Sequence, residues 1–324
     1  MKIGIDIGGS HIGIGQVDIN GKIINKKEID LEPENNEELK KHIIRYIINE
    51  LEHIIKSFDV ELIGLAMPGT IENKVLLESI NLGIKNFDLA KIIEEKYNIP
   101  VNVNNDAKCA AIAEKQFGSL KNYEDCVFLC LGTGIGGAVF LNNKLLKSKN
   151  NNGFELGHII IDKNGPQCNC GKKGCFETFC SIKRFKLKVI NSLNLKPNTK
   201  SSDLLDIIKK NIHNPEIQNI IQEYIDNLIV GLSNIIDIFE PEAISLGGGF
   251  AYFKDVFYTE LLEKFKLRNY RYNKDKITDI KIAELGNDAG IIRINNYRTI
   301  EGFLYILYVY NIYKKIQMQR QHLD

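Results

Sequence analysis

Apolar residues alternate with others or run together over residues 2–8 and again over 11–19, broken at Gly8 and Gly9, and residues 21–30 follow the dipeptide Asn20-Gly21. Asn-Gly between two such runs is a strong hairpin signal, because both residues of the tight turn take positive φ. The opening therefore predicts a three-strand meander. Over 35–56 the apolar positions change to helical spacing (Leu39, Ile43, Ile44, Ile47, Ile48, Leu51, Ile54, Ile55), with acidic residues near the start, where the helix dipole favours them. An apolar run over 62–67 ends at Pro68 and Gly69, a helical stretch follows at about 88–97, and 101–103 form a short strand. Residues 104–117 read as a helix capped by Asn104 or Asn105 and stopped by Gly118, which puts Asp106 in the first turn.

The segment 126–141, CVFLCLGTGIGGAVFL, echoes the opening: an apolar strand leads through glycines into another strand. Two halves with related openings suggest an internal duplication. Residues 148–180 are loop-like and rich in Gly, Asn and Cys, 215–238 are strongly helical and end before Pro241, and 243–246 form a buried strand leading into Gly247, Gly248 and Gly249. A helix is expected at about 250–265. No low-complexity linker is present, so a domain boundary belongs in ordinary structure near 105–120.

Composition narrows the class. The 324 residues are enough for two domains of moderate size. Lys plus Arg number 42 against 41 Asp plus Glu, so there is no global electrostatic case for a nucleic-acid or membrane-surface partner, and a small ligand is expected. Asp6 and the paired glycines stand where an export signal would need an unbroken apolar stretch, which makes the cytoplasm the expected compartment. The most apolar short run, 303–310, is far below the roughly 18 residues of a membrane span. Seven cysteines, an odd number, argue for metal or packing roles over a disulfide framework.

Glycines at a strand turn let backbone N–H groups approach an anion closely. Two such turns carry a hydroxyl as well: Gly8, Gly9 and Ser10 after Asp6, and Gly132, Thr133, Gly134 and Gly136 in the second half. Asp6 is placed to hold Mg²⁺ directly or through water. Either turn alone also reads as a plain tight hairpin, and neither has the Lys-Ser/Thr of a Walker loop. Together with Gly247–Gly249 they favour a nucleotide site. Asp106 is the candidate base for a hydroxyl nucleophile, its alternative being simple charge complementation at a helix start. His158, Cys168, Cys170 and Cys175, with Gly171 and Gly174 allowing sharp turns, form a complete tetrahedral set for a structural zinc ion. Glu155 and Glu177 bracket these ligands, so a metal ordering 155–177 also fixes two carboxylates. Cys109, Cys126, Cys130 and Cys180 read as buried small side chains.

Taken together these motifs resemble the ROK family of bacterial sugar kinases and sugar-responsive repressors, over most of 2–292. Asp6 to Ser10 is similar to that family's first phosphate motif, LGTGIGG at 131–137 to its second, and Glu155-Leu156-Gly157-His158 with CNCGKKGCFE at 168–177 to its zinc signature. ISLGGG at 244–249 resembles the nucleoside-lining segment and LGNDAGII at 285–292 the opening of its closing helix. The resemblance implies an α/β fold of two duplicated actin-like ATPase (ribonuclease H-like) domains around a hinged cleft, with an N-terminal domain over 1–110, a C-terminal domain over 111–292 and an atypical tail over 293–324. It implies Asp106 as catalytic base, and Asn81, Asn105, Asp106, Glu155, His158 and Glu177 as sugar ligands. ATP, Mg²⁺ and structural Zn²⁺ are the implied cofactors, a hexose the substrate and a homodimer the assembly. Two departures stand out: Ile84 where family members often carry Trp, and a Tyr- and Ile-rich tail in place of small helix residues. The expected activity is an ATP-dependent hexose kinase, glucose first, with N-acetylmannosamine, N-acetylglucosamine and fructose as alternatives. A repressor is set aside because the first strand begins at residue 2, leaving no helix-turn-helix ahead of it, and because the charge is near neutral. A catalytically silent, zinc-stabilised sugar-binding protein is the third class.

Overall fold

The computed structural model describes residues 1–8, 11–18, 22–31, 36–79, 82–148, 153–266 and 278–292. Gly9, Ser10, Asn81, the Asn20-Gly21 turn and the tail over 293–324 lie outside the described residues. The first half contains β1 (Lys2–Ile7), β2 (His11–Val17), β3 (Ile23–Asp30), α1 (Asn36–Ser57), β4 (Leu62–Met67), β5 (Thr70–Glu72), β6 (Val75–Ser79), β7 (Ile84–Phe87), α2 (Leu89–Tyr97), β8 (Val101–Asn105) and α3 (Asp106–Phe117). The second contains β9 (Cys126–Leu131), β10 (Ile135–Leu141), β11 (Lys144–Leu145), α4 (Phe176–Cys180), α5 (Ile182–Ser192), α6 (Ser201–Lys210), α7 (Pro215–Phe239), β12 (Ala243–Gly248), α8 (Gly249–Tyr252), α9 (Lys254–Lys266), β13 (Asp279–Ile282) and α10 (Ala289–Ile292).

The duplication is visible in the sheets. One runs β3-β2-β1-β4-β8 and the other β11-β10-β9-β12-β13. In both, the first strand pairs antiparallel with the second and parallel with the fourth, and a further parallel strand closes the edge. Strands β1 and β9 therefore occupy equivalent places in their sheets. The helical spacing over 35–56 is borne out: Leu39, Ile43, Ile47 and Leu51 of α1 are buried in a core with Ile3, Ile5, Ile63, Leu65 and Val101 of the sheet. A larger core joins the second sheet to α4–α9, with Phe185, Tyr224, Phe250 and Phe257 in mutual ring contact. No helix among the described residues is long and apolar enough to cross a membrane.

Several elements differ from expectation. The strand expected over 101–103 runs on to Asn105, because Asn104 and Asn105 stay in register with Ala66 and Met67 of β4. The helix expected over 250–265 breaks at Phe253, whose ring turns into the core against Phe185. The loop-like stretch 148–180 contains a 3₁₀ turn, Leu156–His158, and α4. A small antiparallel sheet, β5-β6-β7, was not expected at all. Its tight turn is made by Asn73 and Lys74, both at positive φ, and lacks the glycine that marks such a hairpin in sequence.

Helix α10 lies on β1, β2 and α3, and glycines make that approach possible. A Cβ at Gly4 would stand 2.2 Å from the carbonyl oxygen of Ile291. Gly4→Ala is therefore expected to lower stability by about 1–3 kcal/mol, the usual cost of overpacking. A thermal melt followed by circular dichroism checks this, and an unchanged midpoint would show that α10 is not seated there.

Candidate functional site

The site is assembled from α3, β1, the turn between β9 and β10, and the segment before α4. Asn105 is the N-cap of α3, in extended conformation, and its Oδ1 accepts from the Lys108 N–H at 3.2 Å. Its Nδ2 donates to the Gly69 carbonyl at 3.2 Å, tying the turn before β5 to the helix start. Asp106 opens the helix and its Oδ1 accepts from the Ala107 N–H at 2.8 Å. Burial raises the Asp106 carboxyl above the usual carboxylate range, opposed by backbone N–H groups.

Asp6 projects from β1 beneath α10, where a Cβ at Gly290 would come within 2.5 Å of its carboxyl carbon. Burial first, and the charge of Asp106 second, push Asp6 up to about 7, with Lys26 pulling the other way. The two aspartates are thus close enough for one charge to disfavour the other. Cys130, at the end of β9, feels both carboxylates and is pushed up to about 12, chiefly by burial.

The second glycine turn stands beside this pair. The Gly132 N–H donates to the Gly134 carbonyl at 2.9 Å, and the space where a Gly132 side chain would lie is open. Gly136 lies against the first turn of α3, since its Cβ would fall 2.7 Å from the Ala107 Cβ. Thr133 is exposed. At the end of β12, Gly248 takes φ +65 beside Cys130 and Leu131, and Gly249 meets Ile182 of α5. Gly247 is seated against Phe128 inside the sheet. In the first turn, the Gly8 N–H donates to the His11 carbonyl at 2.8 Å.

His158, Cys168, Cys170 and Cys175 offer four ligand atoms within 4.8 Å of one another. The His158 Nδ1 to Cys168 Sγ and the Cys170 Sγ to Cys175 Sγ separations are each 3.6 Å. A tetrahedron with metal–sulfur bonds of about 2.3 Å has edges of about 3.8 Å, so the group fits a zinc-type ion. Backbone shape here depends on glycine: Gly174 has φ +71, and a Cβ would collide with the Asp162 carbonyl. Burial pushes the Cys175 thiol up to about 12, while the Lys172 N–H holds the Cys170 thiol down. A bound divalent cation takes such groups as thiolates and reverses the effect of burial.

Glu177 connects this cluster to the glycine turn. Its Oε2 accepts from the Ile135 N–H at 2.9 Å, and its Oε1 lies 3.9 Å from Cys168 Sγ. That bond has no signal in the sequence, because the partners are 42 positions apart. Glu155 stands exposed at the head of the 3₁₀ turn, and no hydrogen bond described here joins its carboxylate to the cysteine cluster.

Two five-stranded sheets of the same strand order give an α/β protein with the actin-like ATPase fold. The chain belongs to the ROK family, whose pattern matches residues 2–293. It is similar to the xylose repressor of Bacillus spizizenii, at 34% identity over 252 residues, 76% of this chain. The chain spans 63% of the length of that repressor and of its Bacillus subtilis counterpart. It is also similar to the glucokinase of Thermotoga maritima, at 31% identity over 275 residues, covering 81% of this chain and 86% of the relative. The ROK glucokinase of Streptomyces griseus, solved with glucose and AMPPNP, shares the fold with TM-score 0.76 and 24% identity, over 91% of this chain and 97% of that one. Repressors, set aside on sequence, thus stand among the relatives.

The raised Asp6 carboxyl gives a signed prediction. Its ordinary value is 3.8 and its folded value about 7, so the folded chain binds the proton more tightly across that interval. The stability Asp6 contributes is full below its ordinary value and is lost as pH rises through 7. Without divalent cations, wild type should therefore lose stability relative to Asp6→Asn as pH rises from about 4 to 7. Melting midpoints that stay parallel for the two proteins would refute it.

Proposed function

We propose that the protein is an ATP-dependent hexose kinase, with glucose the first substrate and glucose 6-phosphate the product. The observation that carries this reading is the half-buried Asp106 at the head of α3, near enough to Asp6 for its charge to act there, with Gly136 of the second glycine turn against the same helix start. The sugar hydroxyl gives its proton to Asp106 as its oxygen bonds to the γ-phosphorus of ATP. The bond from that phosphorus to the β,γ-bridging oxygen breaks, leaving ADP. Burial suits Asp106 to this task, because a carboxyl raised above the ordinary range accepts a proton more readily.

Positioning and charge stabilisation carry most of phosphoryl transfer. Backbone N–H groups of Gly8–Ser10 and Gly132–Gly136 receive the phosphates, and Gly247–Gly249 line the nucleoside. Asp6 would hold Mg²⁺, directly or through water, and the bound ion would supply charge neutralisation at the phosphates. Asn81, Asn105, Glu155, His158 and Glu177 bind sugar hydroxyls. His158 meets the cysteines through Nδ1, which leaves its other ring nitrogen for the sugar. Zinc at His158, Cys168, Cys170 and Cys175 is structural. N-acetylmannosamine, N-acetylglucosamine and fructose are the alternative acceptors within this reading, and the assembly is a homodimer.

A second reading, a sugar-responsive protein of the repressor kind, is favoured by the 34% identity to a xylose repressor. The two part on turnover. ADP release is measured with each hexose and with xylose, and glucose-dependent turnover supports the kinase; xylose binding without turnover supports the second reading. In the kinase, Asp106→Asn should lower kcat by about 10²–10⁴ while sugar affinity changes little. A variant of normal activity removes Asp106 from the mechanism.

Chelation supplies a separate check. The segment from Ile159 to Cys175 carries no helix and only isolated bridges, so a metal at the four ligands would add to the turn bonds that hold it. Metal-free protein, verified by elemental analysis, should melt lower and bind sugar about tenfold or more weakly. Unchanged affinity would break the link between the metal and the sugar ligands.

A further inference from the structure

Glu114 is a fully buried carboxylate near the end of α3 that the chemistry above does not use. Its Oε2 accepts from the Ser119 N–H at 2.8 Å and from the Ser119 hydroxyl at 2.7 Å. Its Oε1 accepts from the Leu285 N–H at 2.7 Å, across 171 positions of sequence. The Ser119 hydroxyl also lies 2.8 Å from that of Ser245, a buried residue of β12. Gly118 makes the fold-back possible, since a Cβ there would fall 2.2 Å from Glu114 Oε2.

Each element joined at this point leads to the candidate site. Helix α3 carries Asp106 eight residues upstream of Glu114, about 12 Å along the axis. Leu285 enters the segment whose Gly290 rests on the Asp6 carboxyl. Ala113 of α3 and Ala289 and Ile292 of α10 are packed together beside the carboxylate. Strand β12 ends in Gly247 and Gly248. One buried group therefore ties together the supports of both aspartates and the strand that ends at the third glycine run.

We propose that Glu114 is a positioning residue for phosphoryl transfer: it clamps α3 to the head of α10 and, through Ser119, to β12, and so sets where Asp106 and Asp6 stand relative to each other. The proposal rests on the kinase reading. Misplacement of a reacting group by about 1 Å can cost on the order of 10² in rate, so loosening a clamp this far from the chemistry is felt in kcat.

Glu114→Gln is the test, because it keeps the volume but replaces one acceptor oxygen with an NH₂ group. Whichever way the amide turns, that group faces a backbone donor, Leu285 N–H or Ser119 N–H. Expected are a fall in kcat of about tenfold or more with the sugar KM within about threefold, and a melt that stays cooperative. Amide hydrogen exchange should quicken in peptides covering 114–120 and 283–292. Unchanged kcat, kcat and folded fraction falling in step, or a sugar KM that rises as far as kcat falls, overturns the proposal. If wild type turns over no sugar, the kinase reading fails on its own account and the positioning role in phosphoryl transfer fails with it; if wild type turns over sugar, unchanged protection at Leu285 and Ser119 in the variant overturns the clamp alone.

Discussion

Two carboxyls held close together in partial burial are the constraint around which this molecule is organised. Asp6 and Asp106 each lie where desolvation disfavours the charged form, and the charge of Asp106 adds to the penalty on Asp6. Such an arrangement persists only where the surrounding structure overdetermines it. Asp6 sits on a central strand paired on both sides, with Gly290 of α10 resting on its carboxyl. Asp106 is held by a capped helix whose N-cap also anchors the Gly69 turn. The duplicated sheets place a glycine turn beside the pair, with Gly136 lying against the first turn of the helix that carries Asp106.

The cysteine cluster plays a different part. It sits in a stretch with almost no helix or strand, whose backbone is held by turn bonds such as Cys168 N–H to the Lys172 carbonyl and Gly174 N–H to the Pro166 carbonyl. Glu177 turns that local order outward. One of its oxygens holds the Ile135 N–H at the glycine turn and the other approaches Cys168, so the shape of the cysteine loop and the shape of the turn are not independent. The 3₁₀ turn that ends at His158 meets the same loop, and Lys172 donates from it to the His158 carbonyl at 2.9 Å.

Much of this was legible in the sequence, for identifiable reasons. The meander, α1, α3 and the strand–glycine–strand unit at 126–141 all follow local rules of period, capping and turn chemistry. The cysteine cluster was legible because its ligands are nearly contiguous, with glycines where the backbone must turn. What escaped depends on partners distant in the chain or on turns without their usual residues. The β5-β6 hairpin turns on Asn73 and Lys74, and lysine at positive φ gives no advance notice. Helix α8 ends early because the Phe253 ring has a place in the core, which periodicity alone cannot see. Glu114 reads as one more acid on an amphipathic helix, and only the fold shows it bonded to Leu285.

The same framework serves relatives named as repressors and relatives named as glucokinases, at similar identity. Sugar recognition alone needs hydroxyl-binding side chains and an ordered loop to carry them. It does not need a second acid beside Asp106, and a buried like-charged pair lowers the stability of the unliganded protein as pH rises through neutrality. A protein that only binds gains nothing from that cost. A protein that transfers a phosphoryl group gains a proton acceptor from one acid and a place for a divalent cation from the other. The carboxylate pair is therefore the feature that weighs the proposed reading toward catalysis.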